Sequence, residues 1–213
     1  MNRVNFFAGT ANVSALRISA GGTLNNNTAA HTLRLGQPDE GFALLDNYGT
    51  LTIANGNLYV NGRVRFQAAS VFNMSGGKIT IDANRVIPQM SAPDGAALFE
   101  AAAGMNTFNF SNGTLQINDP PLGALSQALS CPYDFGNNST LVLGIPGSLN
   151  SSKNPDGFGG LLFPNKIGKL IIDAGTRNGN RQLVNKKALT VKGSAEVRTG
   201  SGLLLQAPIT VNQ

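Results

Sequence analysis

Carboxylates are the side chains of this sequence best suited to chemistry, because paired acids hydrolyse glycosidic bonds and clustered acids bind calcium. The sequence has 11 of them: Asp39, Glu40, Asp46, Asp82, Asp94, Glu100, Asp119, Asp134, Asp156, Asp173 and Glu196. No two take equivalent positions in neighbouring repeats. Asp82 and Asp173 each directly follow an apolar run, in KITID and KLIID, which favours corner positions. We therefore predict no catalytic residue, no metal site and no enzymatic activity.

Two other reactive side chains occur once each. His31 lies in AAHTLRL, just before an apolar run, and a single histidine does not make a metal site of the usual kind. We interpret it as a surface or corner residue. Cys131 has no second histidine to activate it, so a buried, inert thiol is the simpler interpretation. No cofactor is predicted.

Charge is low and unevenly placed along the chain. Residues 1–150 carry 7 basic and 8 acidic side chains, whereas residues 151–213 carry 9 basic and 3 acidic ones. The basic surplus favours either a solvated face or a contact with an anionic glycan or lipopolysaccharide. Basic side chains form no run interleaved with aromatics, which argues against nucleic acid. No apolar stretch is long enough to predict a membrane span.

Short apolar runs repeat along the chain in the form apolar–any–apolar. They are Leu16–Ile18, Leu33–Leu35, Leu51–Ile53, Leu58–Val60, Val64–Phe66, Phe72–Met74, Ile79–Ile81, Phe108–Phe110, Leu115–Ile117, Leu141–Leu143, Leu170–Ile172, Leu189–Val191, Ala195–Val197 and Ile209–Val211. The steps from Leu51 through Leu58, Val64 and Phe72 to Ile79 are 7, 6, 8 and 7 residues. Three such runs would make one coil of roughly 20–22 residues.

This pattern predicts an all-β fold, a right-handed parallel β-helix or β-solenoid with short helical and loop insertions. Glycine precedes several runs, as in GTLTI, GNLYV and GKITI, and would make the corners. A meander of hairpins joined by Asn-Gly turns would give a similar pattern, and it remains the alternative.

The expected boundaries follow from where the rhythm breaks. We predict solenoid coils over 1–84, an insertion with a short helix over 85–107, and another coil over 108–118. A Pro-rich insertion over 119–138 precedes further coils over 139–213, which we expect to continue beyond this sequence. The first helix would run from a cap at Asp94 to Gly104, and a helical turn would lie at Leu125 to Leu129. Gly147 to Pro164 is expected to be a loop.

Several segments resemble a known kind of repeat. KIGKLIIDAG and NKKALTVKGSAEVRTGSGLLLQAPITV near the end, and ISAGGTLNN, YGTLTIANGNLYVNG and FNMSGGKITID earlier, are similar to β-solenoid repeats of large secreted Bacteroidota surface proteins. They also resemble filamentous-haemagglutinin-like adhesins. The resemblance implies export by the type IX pathway, with signals outside this sequence. It further implies a cell-surface adhesin, including the gliding adhesins, or a filament.

The functional hypothesis is a non-enzymatic structural or adhesive module of a bacterial cell-surface or extracellular filament protein. It would lie outside the outer membrane and pack against adjacent repeats of its own chain or against other surface subunits. The alternative is a β-helix protein that binds or degrades polysaccharide. Carboxylates clustered in a cleft would favour the degrading enzyme.

Overall fold

The computed structural model describes residues 3–5, 10–13, 15–36, 43–82, 97–118, 127–144, 159–173, 183–198 and 201–212. Within these residues the fold is all-β, with 22 strands and no helix. The strands are β1 (Arg3–Asn5), β2 (Thr10–Val13), β3 (Ala15–Ile18), β4 (Thr23–Asn26), β5 (Thr32–Leu35), β6 (Ala43–Asn47), β7 (Thr50–Ile53), β8 (Asn57–Val60), β9 (Gly62–Phe66), β10 (Val71–Ile81), β11 (Phe99–Ala101), β12 (Thr107–Ile117), β13 (Gln127–Ser130), β14 (Asn138–Leu143), β15 (Gly159–Leu162), β16 (Lys166–Ile167), β17 (Lys169–Ile172), β18 (Leu183–Asn185), β19 (Leu189–Val191), β20 (Ala195–Val197), β21 (Leu203–Leu205) and β22 (Ile209–Val211).

The strands form three sheets, and every pairing among the described strands is parallel. The first sheet follows the order β1-β4-β7-β10-β12-β14-β17-β20, with β2, β5 and β8 joined to it through β10. The second has the order β21-β18-β15-β13-β11-β9-β6-β3, and the third β16-β19-β22. Each strand from β1 to β7 pairs with the strand three positions later. Hairpins would make neighbouring strands antiparallel, so the meander alternative is wrong for these strands.

The register explains which side chains form the core. Leu51 in β7 is opposite Leu24 in β4 and Phe72 in β10. Successive side chains of a strand point to opposite faces, so most of the apolar–any–apolar runs bury their first and third residues. The eight residues expected to share one core do belong to one buried cluster: Leu51, Ile53, Leu58, Val60, Val64, Phe66, Ile79 and Ile81.

The repeat length is confirmed where the chain has no long connection. Leu51 and Phe72 are 21 positions apart, as are Leu58 and Ile79. Paired residues are more widely separated further on, since Phe72 and Phe108 are 36 positions apart. The additional residues lie between the strands and leave the register of the core intact.

Aromatic rings fill the core around β9 to β14. The ring centroids of Phe66 and Phe72 are 4.5 Å apart, and those of Phe110 and Phe135 are 4.7 Å apart. Phe108 stacks on Tyr133 at 5.1 Å. Such pairs contribute about 0.5–1.5 kcal/mol each beyond the burial of their area. Aromatic contacts therefore contribute to the core in this region.

All fourteen short strands expected from the sequence are confirmed, but both helices are wrong within the described residues. Phe99–Ala101, expected in the helix that ends at Gly104, is strand β11 and pairs with β9 and β13. The helical turn expected at Leu125 to Leu129 is wrong where it is described, because Gln127–Ser130 is strand β13. Pairing on both edges of β11 outweighs the helix propensity of its alanines, because tertiary contacts override local propensity. Asp94 and Leu125 lie outside the described residues.

Strands β10, β12 and β15 also differ from the expected boundaries. β10 and β12 are continuous strands of 11 residues, each of which includes two of the short runs. The first half of β10 pairs with β7 and the second half with β8. Gly159–Leu162, inside the loop expected over 147–164, forms β15.

One corner depends on the absence of a side chain. Gly77 lies within β10 at φ +71°, a backbone conformation that disfavours side chains. A Cβ atom at this position would lie 2.1 Å from the carbonyl oxygen of Gly56. The glycine therefore permits close contact between the corners of successive repeats.

Candidate functional site

Several of the described carboxylates are bound by neighbouring side chains, and two of them share one arginine. Asp134 lies 3.8 Å from Lys166, and Gln67 donates a hydrogen bond of 2.6 Å to Asp46. Arg198 bonds both Asp173, at 2.7 Å, and Glu196, at 2.9 Å. Within the described ranges no three His, Cys, Asp or Glu side chains are grouped so that they could hold a metal ion. Asp39, Glu40, Asp94, Asp119 and Asp156 lie outside those ranges.

Asp82 and Asp173 occupy corners, each directly after its strand. The amide of Asp82 donates to Val60, and that of Asp173 donates to Leu143. β12 and β14 lie between β10 and β17 in the sheet, so the two backbones are separated by about 14 Å at the usual strand spacing. They do not form the close carboxylate pair of a glycosidase.

A buried charge pair was not foreseen from the sequence. Arg63, in β9, is only 5% exposed, and its guanidinium donates to the Glu100 carboxylate in β11. Arg65 also approaches Glu100, at 3.5 Å. One column of side chains alternates in charge across four neighbouring strands: Arg17, Asp46, Arg65 and Glu100. These groups stabilise the strand register, since opposite charges lie directly beside one another.

Tyr59 is the centre of a second polar cluster. The Arg34 guanidinium lies 4.1 Å from the centre of its ring, and its hydroxyl donates to Asp82 at 3.1 Å. Asn118 donates to the same carboxylate oxygen at 3.2 Å. Burial, together with the Asp82 charge, raises the pKa of Tyr59 to about 12. The phenol therefore stays protonated, and one face of its ring is occupied.

The other two tyrosines also have structural partners. Arg17 lies 4.3 Å from the ring centre of Tyr48. The Tyr133 hydroxyl accepts from the amide of Met105 at 2.8 Å and donates to the carbonyl of Ala102 at 3.1 Å. Exposed aromatic platforms are a common means of holding sugars, and these rings are committed to contacts within the protein.

His31 lies at a corner before β5, in agreement with one of the two interpretations from the sequence. The other interpretation, a surface residue, is wrong, because His31 is only 4% exposed. Its Nε2 atom has no hydrogen-bond partner among the described residues. Cys131 is buried, as expected, and its Sγ atom donates to the Tyr133 carbonyl at 3.5 Å. Burial raises the pKa of Cys131 to about 12, so the reactive thiolate is scarce at neutral pH.

A regular polar surface lies on the outer side of β4, β7, β10 and β12. Two columns of side chains stand in register on these strands. We call them the Thr/Asn array: Thr23, Thr50, Val71 and Thr107 in one column, and Asn25, Thr52, Asn73 and Asn109 in the other. None is charged, and all are half-buried or exposed. The tripeptides TLN, TLT, VFN and TFN could have revealed the array, but their even spacing exists only in the folded sheet.

Strands β20, β21 and β22 form the last described repeat, and they expose apolar side chains. We call them the open repeat. Val197 is 54% exposed, whereas Ile172, its register partner in β17, is completely buried. Val211 is 42% exposed and Val191, its partner in β19, is also buried. Leu205 in β21 is 55% exposed. Apolar residues in core positions are thus uncovered on β20, β21 and β22.

Part of the basic surplus is visible beside this open repeat. Lys169, Lys186 and Lys192 are exposed, whereas Arg198 is paired with two carboxylates. Exposed lysines suit a solvated face or a contact with an anionic partner.

Comparison with known proteins gives no relative: no family model, no curated protein and no solved structure matches the chain. Among the described residues, no helix has the length and apolar character needed to cross a membrane.

Proposed function

We propose that the chain is a stretch of right-handed parallel β-solenoid that serves as a structural or adhesive module, without catalytic activity, of a bacterial surface or filament protein. The observation that carries the proposal is the register: apolar residues repeat in columns across successive parallel strands. A protein stabilised by contacts between neighbouring repeats can be extended without a new core. Its natural tasks are to span distance and to present surfaces.

The cellular setting of the proposal depends on sequence resemblance. KLIIDAG, ALTVKGSAEV and YGTLTIANGNLYVNG resemble repeats of type IX-exported Bacteroidota proteins. The module would lie on the cell exterior, in an adhesin, a gliding adhesin or a filament. Adjacent repeats of the same chain, or another surface subunit, would cover β20, β21 and β22.

The cell-surface proposal is tested on intact cells that carry the parent gene. An antibody against this segment should label unbroken cells, and deletion of the segment should reduce attachment or gliding. Labelling that requires lysis would contradict the surface assignment. Release of reducing or unsaturated sugars from pectin, alginate or chitin by the purified protein would contradict the non-enzymatic assignment.

The open repeat allows a separate test in solution. Uncovered strand edges and apolar core positions favour association. We expect the purified chain to sediment as associated species at high micromolar concentration, and Val197→Lys to shift it toward monomer. Thr80→Lys places the same charge on β10 and is the matched control. It should leave the sedimentation of the chain unchanged. A monomer at all concentrations would contradict association through β20 to β22.

Polysaccharide binding is the second candidate, and the Thr/Asn array is the observation that favours it. Hydroxyl and amide groups are suitable hydrogen-bond partners for sugar hydroxyls, and the array is in register and uncharged. The double variant Thr52→Ala and Asn73→Ala should weaken binding to polysaccharide if this surface is used. The control pair Thr80→Ala and Gln116→Ala removes outward polar groups elsewhere on the same sheet and should have no effect.

A further inference from the structure

Asn-Gly sequences occur four times in the chain, and the structure describes three of them: Asn55-Gly56, Asn61-Gly62 and Asn112-Gly113. In such a pair the backbone nitrogen of glycine can attack the side-chain amide carbon of asparagine, because no Cβ hinders it. The reaction requires an accessible amide and a glycine nitrogen placed against it. The three described pairs differ in both respects.

Asn112-Gly113 meets both conditions. Asn112 is exposed, and the backbone nitrogen of Gly113 lies 2.7 Å from Oδ1 of Asn112. This hydrogen bond holds the Gly113 nitrogen beside the side-chain amide of Asn112. Holding two reacting groups together in this way favours the reaction between them.

An irregularity in the sheet accompanies this geometry. The pairing of β12 with β10 passes from Asn112 and Ser75 to Thr114 and Lys78, and its register shifts on both sides of Ser75. Gly113 itself is at φ +107°. Such bulges disrupt the ladder and redirect backbone groups, so the Gly113 amide can bond the Asn112 side chain.

The other two described pairs lack this combination. Asn61 is 2% exposed, so water and base reach its amide poorly. Asn55 is exposed, but the nitrogen of Gly56 is engaged elsewhere and donates to the carbonyl of Asn26 at 3.3 Å. They serve as internal controls within the same molecule.

We propose that Asn112 is a site of spontaneous deamidation in the folded protein. The Gly113 nitrogen loses its proton to solvent and forms a bond to Cγ of Asn112. The bond from Cγ to Nδ2 breaks, and Nδ2 leaves as ammonia with a proton from solvent. Water then opens the resulting succinimide at either carbonyl and leaves aspartate or isoaspartate. No oxidant or reductant is involved.

The modification would change the centre of the first sheet. Asn112 stands between Ser75 of β10 and Asn138 of β14. Either product adds a negative charge there, and isoaspartate also adds one carbon to the backbone of β12. The extra carbon shifts the strand register on one side of the residue, so isoaspartate should loosen β12 more than aspartate does.

The test compares the three peptides from one sample. The folded chain is kept in mildly alkaline buffer, digested, and analysed by mass spectrometry for conversion of amide to acid at Asn55, Asn61 and Asn112. We expect Asn112 to convert fastest, on the order of tenfold or more above Asn61, because its reacting groups are prepositioned. Isoaspartate in the Asn112 peptide should be detectable by enzymatic methylation, and Asn112→Gln should remove the signal from that peptide.

The same measurement in urea separates structure from local sequence. All three pairs should then convert at similar rates, since each is an Asn-Gly dipeptide in an unfolded chain. The proposal is overturned if Asn112 converts no faster than Asn61 in the folded protein. It is also overturned if the order of rates in urea equals the order in the folded state, since sequence alone would then explain it.

Discussion

The repeats around β7 and β10 and the last repeat, β20 to β22, have the same kind of sequence but very different burial. Ile53 and Ile81 are completely buried, whereas Val197 is 54% and Val211 is 42% exposed. Each of these residues ends an apolar–any–apolar run. Local sequence therefore determines which side of a strand points inward, and the neighbouring strands determine whether that side is covered. Stability in such a fold belongs to pairs of repeats.

The largest expected contrast comes from placing a charge in each region. Ile53→Asp would bury an unpaired carboxylate and should reduce the free energy of unfolding by about 3–5 kcal/mol. Val197→Asp puts the same group at an exposed position and should change it by less than about 0.5 kcal/mol. Urea unfolding of both variants gives the comparison. Equal midpoints for Ile53→Asp and the parent chain would show that Ile53 does not face the core.

A second contrast uses two glycines with positive φ. Gly104 is at φ +82°, and a Cβ atom there would have no neighbour within 4 Å. Gly104→Ala should cost about 1 kcal/mol, from backbone strain alone. Gly77→Ala adds a collision with Gly56 and should cost about 2 kcal/mol or more. Thermal unfolding of the two variants measures the difference, and an equal loss would mean that successive corners are not in close contact.

Two acid-to-amide substitutions compare a buried pair with an exposed one. Glu100→Gln would leave the buried Arg63 without its counter-charge and should cost roughly 1–2 kcal/mol, reduced by the partial exposure of Glu100. Glu196→Gln, which alters an exposed pair with Arg198, should have no measurable effect. Denaturant titrations at low and high salt provide the measurement. A strong salt dependence for Glu100→Gln would indicate that solvent reaches the pair.

Strands were predictable from the sequence where they carry the apolar–any–apolar run, because burial on one side leaves that periodicity. Several strands of the second sheet were missed, among them β11, β13 and β15. Their runs are short or glycine-containing, as in Gly159–Leu162, and their pairing is between residues about 30 positions apart. The Thr/Asn array and the Arg63–Glu100 pair depend on the same long-range register. Neither could be predicted from a local sequence pattern, because the residues involved are far apart in the sequence.

The smallest expected effect is a loss of stability at high pH, and it arises from Tyr59 in the buried repeats. Folded Tyr59 has a pKa of about 12 against an ordinary value of 10.0, so between these values the folded state binds more protons than the unfolded state. Its contribution to stability is complete below about pH 10 and is lost as pH rises toward 12. Because Tyr59 is only half-buried, solvent screening limits this loss to about 1 kcal/mol or less. The same direction applies to Cys131, so the parent chain alone cannot assign the effect.

Tyr59→Phe should therefore unfold with a shallower pH dependence above pH 10 than the parent, while Cys131→Ser retains the Tyr59 contribution. Identical slopes for Tyr59→Phe and the parent would show that the phenol titrates alike in both states.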